Sequence, residues 1–227
     1  MDFAKMFQTW INVVTSPSDE TFSQELDQPE ANFTTAFVGI MIAAVGVTIF
    51  AVISLFISML LQSIGMIGPN MFDMSNMPSD IPPEMIAQMT MIMGAGVGFG
   101  FVFAFLNLII VPISFVIGSG FYFLVAKLMG GQGEFEKHTY ALSIYQAPLM
   151  IVSSALTAIP LLGGCLSLFV MLYHVVLTFF AIKTAHRLGD GAALFIALLP
   201  LLIGFLCVGS LLCTGLSLAL VGVAAGQ

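Results

Sequence analysis

The chain alternates short polar segments with long stretches that contain no Asp, Glu, Lys or Arg: residues 31–72, 91–126, 139–182 and 191–227. A helix needs about 20 mostly apolar residues, rising ~1.5 Å each, to cross a hydrocarbon core roughly 30 Å thick. Every one of these stretches is long enough. The third holds two crossings, because Ile159-Pro160-Leu161-Leu162-Gly163-Gly164 reads as a tight turn. The pattern predicts five membrane helices, at about 35–62, 91–127, 140–159, 165–184 and 192–217. The stretch starting at residue 91 exceeds one perpendicular crossing. It reads as one long helix bent near Pro112, with two crossings as the alternative. Gly94, Gly96, Gly98 and Gly100 offer close helix–helix approach there, and Pro148 and Pro200 fit kinks in later spans.

The first 32 residues follow another rule. Phe3, Met6, Phe7, Trp10, Ile11 and Val14 fall at helical period, with Asp2, Lys5, Gln8, Thr9 and Asn12 opposite. That is one apolar stripe, predicting an amphipathic helix in the membrane interface plane, with docking on the bundle or a partner as the alternative. Ser16 caps a second short helix with Pro17 at its first position and Asp19 and Glu20 at the positive end of its dipole. It runs to about Leu26, and Gln28-Pro29-Glu30 ends it. The chain therefore divides into a segment 1–32 and a membrane domain 33–227. No basic stretch precedes an apolar core at the start, so no cleaved signal peptide is expected. Residues 63–90 read as an irregular loop, with Pro83-Glu84 opening the next helix. Gly130-Gly131-Gln132-Gly133 reads as a helix C-cap and turn. Glu134, Glu136, Lys137 and His138 read as an aqueous loop, and Lys183, His186 and Arg187 as the end of the fourth span.

Composition changes the picture only by excluding a soluble fold. Charged residues make up 7% of the 227 residues and hydrophobic ones 59%, whereas ordinary soluble domains are roughly a quarter charged. Charge distribution then orients the chain. Lys5 precedes the first span, Lys127 and Lys137 flank the second loop, and Lys183 and Arg187 flank the fourth. Five crossings put all of these on one side; six would separate Lys5 from the rest. The positive-inside rule thus gives a cytoplasmic N-terminus and an extracytoplasmic C-terminus. No basic patch exists to meet a nucleic acid.

Candidate chemistry is sparse. His174, mid-way along the fourth span, and Asn107 in the second form a candidate intramembrane polar site. The competing readings are a hydrogen-bonded structural histidine and a helix-bridging amide. Met71, Met74 and Met77 form MxxMxxM in the first loop, a soft-ligand pattern suited to copper(I). Adaptable packing by methionine is the preferred reading, so no metal is assigned. Cys165, Cys207 and Cys213 match no zinc spacing and read as buried thiols. Motifs of metalloproteases, serine hydrolases and phosphate loops are lacking, so neither catalytic residues nor cofactors are expected.

One further pattern links these pieces. Leu128-Met-Gly130-Gly131-Gln-Gly133-Glu-Phe135 precedes Thr139-Tyr140-Ala141-Leu-Ser143-Ile-Tyr145-Gln-Ala147-Pro148, then Ile159-Pro160-Leu-Leu-Gly163, Lys183-Thr-Ala-His186 and Gly191-Ala192-Ala193. In these segments, and in its amphipathic start with Trp10 and Pro17, the chain resembles the Yip1 domain family of polytopic membrane proteins, in its bacterial and archaeal branch. The resemblance implies five transmembrane helices and a cytosolic N-terminus. Eukaryotic members are implicated in vesicle trafficking with small GTPases. They carry a longer N-terminal region and a Tyr-Gly-Pro-type motif that this chain lacks, so those roles are not carried over.

The reading is an all-α five-helix membrane bundle with an N-terminal interfacial helix, multi-pass in a prokaryotic plasma membrane. Its partners are the lipid bilayer and other membrane proteins, and its role is membrane organisation or partner binding. A transporter or channel for a small solute or metal is the alternative. Single cysteines at Ser75 and Gln132, in a background without other cysteines, will label from opposite faces of sealed vesicles. Labelling from the same face contradicts the five-span topology.

Overall fold

The computed structural model describes the backbone of residues 2–64, 83–159 and 162–225, and the side chains of all of these except 83–98, 162, 207–209 and 211–225. Met71, Met74, Met77 and Pro160 lie outside the described residues. The fold is all-α: α1 (Phe3–Thr15), α2 (Asp19–Leu26), α3 (Phe33–Ser63), α4 (Pro83–Leu128), α5 (Phe135–Thr157), α6 (Leu162–His186) and α7 (Asp190–Ala225).

Polar residues set the starts of the first three helices. The Asp2 carboxylate accepts from the Ala4 amide at 2.9 Å, the Ser18 hydroxyl from the Thr21 amide at 3.0 Å and the Asn32 side chain from the Thr35 amide at 2.9 Å. The cap of α2 is thus Ser18 rather than Ser16, and Pro17 lies ahead of the helix. The long stretch beginning at residue 91 is a single helix, as its lack of any turn signal implied. It is unbroken at Pro112 and opens at Pro83. Pro148 and Pro200 likewise lie inside α5 and α7.

The long helices alternate in direction. Phe33 at the start of α3 stacks on Phe135 at the start of α5, with ring centroids 6.3 Å apart. The Gln132 amide between α4 and α5 donates to the His186 carbonyl at the end of α6 at 3.0 Å. The near end of the bundle therefore carries the start of α3, the α4–α5 and α6–α7 connections, and every basic residue. At its centre stands α5, between α3 and α6 and touched by α4; α7 packs on α6 and α4. Close approach is built with glycine. A Cβ at Gly100 would come 2.6 Å from Leu55 on α3, and one at Gly46 would come 3.0 Å from Ile151 on α5.

The N-terminal segment forms the remaining wall of α5. Met6, Thr9, Trp10 and Val13 of α1 are buried against the bundle, and Trp10 lies over Gly39, whose added Cβ would sit 3.4 Å from the indole. Phe22 of α2 is fully buried, its ring 6.4 Å from that of Tyr145. The stripe predicted for α1 accordingly splits. Its Met6/Trp10 edge docks on the bundle, and Phe3, Phe7 and Ile11 stay exposed. Polar ties knit the layer together and fasten it to α6. Lys5 pairs with Glu30 at 3.0 Å, the Thr9 hydroxyl donates to Glu25 at 3.0 Å, the Tyr173 hydroxyl donates to the Val14 carbonyl, and Lys183 pairs with Asp19 and, at 2.8 Å, with Asp190. The Lys5 ammonium donating to Glu30 holds that carboxyl below the usual carboxylate range. This tie is therefore complete above the ordinary value and lost as pH falls through the lowered one.

Elsewhere the surface is apolar. Phe99, Phe103, Ile109, Ile113 and Ile117 of α4 are all exposed, as are Phe169 and Leu172 of α6. Such belts belong in lipid rather than water. Among the described residues, Phe33–Ser63, Phe99–Leu128 and Gly163–His186 are long and apolar enough to cross a membrane, and Asp190–Leu206 is a shorter apolar helix. Cys165 corrects one expectation: it is a free thiol on the exposed side of α6 rather than a buried one. Cys207 and Cys213 fall where side chains are not described.

If α2 is part of the core, Phe22→Ala costs roughly 3–5 kcal/mol, the range for truncating a buried aromatic. Phe7→Ala stays within about 0.5 kcal/mol. Thermal unfolding of the detergent-solubilised protein separates the two. Equal, small effects would show that α2 is not packed as described.

Candidate functional site

The densest polar cluster lies at the near end, around residues that read in sequence as loop. His138 is fully buried and belongs to α5, which begins at Phe135. The aqueous loop is accordingly shorter than predicted. Every residue from 138 to 147 is buried, because α1 and α2 cover the side that α3, α4 and α6 leave open. Polar groups here must be satisfied within the protein. His138 Nε2 lies 3.1 Å from the Ser119 carbonyl, which only accepts, so this nitrogen carries the proton. His138 Nδ1 lies 2.9 Å from His186 Nε2. Two N–H groups cannot face each other at that distance, so with neutral rings His186 Nε2 donates to a bare His138 Nδ1. The second nitrogen of His186 then holds a lone pair; it is buried and meets no hydrogen-bond partner among the described residues. Phe123 flanks both rings at 5.6 and 5.5 Å, and the Ser119 and Thr139 hydroxyls pair at 3.0 Å. This relay ties α4, α5 and α6 together.

Glycines make the relay fit. The Gly130 amide bonds the Lys127 carbonyl at 3.1 Å and the Gly131 amide the Ala126 carbonyl at 2.8 Å, the two bonds of a Schellman C-cap. Gly130 sits at φ 89°, a left-handed conformation that favours glycine. A Cβ on Gly131 would come 2.7 Å from His186 Nδ1. On Gly133 it would press into the Ala185 carbonyl and reach 3.0 Å from the same nitrogen. The loop is a C-cap, as the glycine pattern predicted, and also a lid fitted over the His186 ring. Arg187 closes α6 at φ 54°, a left-handed cap made without glycine.

The polar residues singled out in sequence lie elsewhere and apart. Asn107 lines a cleft of about 380 Å³ between α3, α4 and α5, with Ser54, Ser154 and Thr157. His174 lines one of about 320 Å³ between α5 and α6, with Gln146, Ser153 and Ser167. The two clefts share no residue. Asn107 faces the α3–α4–α5 cleft, where no other described group is bonded to it. His174 does have partners: its Nδ1 lies 3.3 Å from the Thr178 hydroxyl, which donates to the His174 carbonyl at 2.7 Å. Tyr145 reaches the same hydroxyl at 2.7 Å and stacks edge-on against the His174 ring.

The residues now in place at the near end coincide with the segments that carry the sequence resemblance. The family model described as Yip1 domain matches residues 11–211. The chain belongs to the Yip1 domain family. No curated protein and no solved structure matches it. In this Yip1 chain the Gly-Gly-Gln-Gly segment seats the end of α6, Tyr145 and Gln146 meet α6 at mid-length, and Trp10 fills the groove over Gly39.

Sequence reasoning missed the His138–His186 pair. Each histidine stands beside a charged residue, Lys137 or Arg187, and local charge signals exposure. A usable signal was present: glycines two apart beside a histidine-ended helix need a reason to lack side chains, and a bulky ring packed against them is one.

Gly133→Ala will lower the unfolding temperature by several degrees, since backbone at Ala185 cannot give way. Gly191→Ala, where an added Cβ meets nothing within 4 Å, will leave it unchanged or slightly raised. Equal tolerance of both would mean that the loop does not seat on His186.

Proposed function

We propose that this Yip1 protein is a five-span protein of a prokaryotic plasma membrane, with its N-terminus cytoplasmic and its C-terminus extracytoplasmic. Its role is to organise or bind other membrane components rather than to catalyse a reaction. The observation that carries this reading is the contrast between the two halves of the bundle. In the near half every residue from 138 to 147 is buried. Beyond Pro148 clefts open sideways on both flanks of α5. Lateral openings favour contacts made within the membrane, and a sealed near end disfavours passage through it. The exposed Phe3, Phe7 and Ile11 ridge of α1 suits the headgroup level at the cytoplasmic face, which amphipathic helices occupy. The five basic residues at that end support the orientation.

The second reading, a path for a small solute or metal, draws on Asn107 and His174, each of which lines a cleft. It requires the clefts to join, although no residue lines both. Copper(I) binding by Met71, Met74 and Met77 concerns residues outside those described and adds nothing to either reading.

Two measurements on one preparation decide. Photoreactive amino acids at Phe7 and Phe103 in native membranes will yield discrete protein adducts, and proteoliposomes will admit urea and glycerol no faster than empty vesicles. Adducts to lipid alone, together with accelerated solute entry, would overturn the proposal in favour of transport.

A further inference from the structure

The α5–α6 cleft has a hydrogen-bond polarity that specifies what fits it. Begin at its floor. The Gln146 amide N–H donates to the Tyr145 hydroxyl at 3.3 Å, and the Tyr145 hydroxyl faces that of Thr178 at 2.7 Å. The Thr178 proton is committed to the His174 carbonyl at 2.7 Å, so Tyr145 donates to Thr178. With its own proton spent, the Thr178 oxygen can only accept from His174 Nδ1 at 3.3 Å. The imidazole is therefore the Nδ1–H tautomer, and its Nε2 is a lone pair. No described group engages that nitrogen or the Gln146 carbonyl oxygen. The chain of donors runs inward, leaving the His174 and Gln146 acceptors and one Gln146 N–H at the floor of the cleft, with the Ser153 hydroxyl higher on its wall and the Ser167 proton spent on the Gly164 carbonyl at 2.8 Å.

The walls define the rest of the occupant. Leu149, Met150, Val170 and Met171 are apolar, and no charged residue lines the cleft. His174 lies mid-way along α6 (Leu162–His186), and exposed Val152, Met171 and Leu172 surround this stretch. The opening thus faces hydrocarbon. Bare acceptors at this depth cost free energy unless a donor meets them. A carbonyl or ether head has no proton to give, and a cation finds no carboxylate. A hydroxyl does both tasks, donating to His174 Nε2 or the Gln146 oxygen while accepting from the Gln146 N–H. A volume of about 320 Å³ is at the small end of ligand sites and admits one chain rather than two. We propose that the α5–α6 cleft binds a single-chain, membrane-dissolved alcohol, with its hydroxyl between Gln146 and His174 and its chain along Met150 and Met171.

The test uses the full-length protein in phosphatidylcholine liposomes with a long-chain primary alcohol carrying a diazirine in its chain. Peptide mapping after photolysis will place adducts on the facing stretches 146–153 and 167–174. Unlabelled alcohol will suppress them, and its O-methyl ether will need roughly tenfold more, the loss of one donated hydrogen bond. His174→Leu, which leaves only the Gln146 oxygen as acceptor on the cleft floor, will reduce the preference for alcohol over ether. Met171→Trp, which fills the cleft from its exposed rim and leaves the buried network untouched, will abolish labelling in a folded protein. Equal competition by alcohol and ether, adducts spread evenly over the lipid-facing helices, or labelling unchanged by Met171→Trp would each overturn the proposal.

Discussion

The structure depends on burying a polar helix. α5 stands at the centre, and every residue from 138 to 147 is buried, Gln146 lying at the floor of the α5–α6 cleft. That run includes His138, Thr139, Tyr140, Ser143, Tyr145 and Gln146. In a membrane protein a helix of this polarity cannot rest against hydrocarbon, where unpaired polar groups cost several kcal/mol each. It must be walled in, and each wall must bring partners. α4 brings the Ser119 carbonyl and hydroxyl, α6 brings His186 and Thr178, and α1 and α2 bring Trp10 and Phe22. The N-terminal layer is thus part of the bundle.

The same constraint accounts for the glycines. Walls this close leave no room for side chains where helices or loops meet. Gly39 lies under Trp10, Gly46 under Ile151, Gly100 under Leu55, and Gly131 and Gly133 under His186. Beyond Pro148 the polarity of α5 falls and the walls separate, giving lateral clefts with Asn107 on one flank and His174 on the other. One helix therefore carries both a sealed half and an open half.

Much of this was legible in the residues. Charge-free length reveals the long helices, the lack of a turn signal implies the single helix across Pro112, and the glycine pattern marks the C-cap. Periodicity revealed α1 but not the division of its apolar stripe. A stripe has the same period whether it meets lipid or protein, and only the neighbours decide that Trp10 turns inward while Phe7 does not. The histidine pair was illegible for a related reason. His138 and His186 lie 48 residues apart, and beside Lys137 and Arg187 each looks like surface. Hydrogen-bond direction at Thr178, which gives the His174 cleft its polarity, likewise exists only once three side chains from α5 and α6 meet.

The central claim is that α1 and α2 complete the wall around α5. Hydrogen–deuterium exchange in nanodiscs tests it most directly, comparing the native chain with one in which Met6, Trp10 and Val13 are changed to Ser to undock α1. The account predicts faster exchange across residues 138–147 and none of that change in the lipid-facing part of α4. Unaltered protection of 138–147 after α1 is undocked would contradict it.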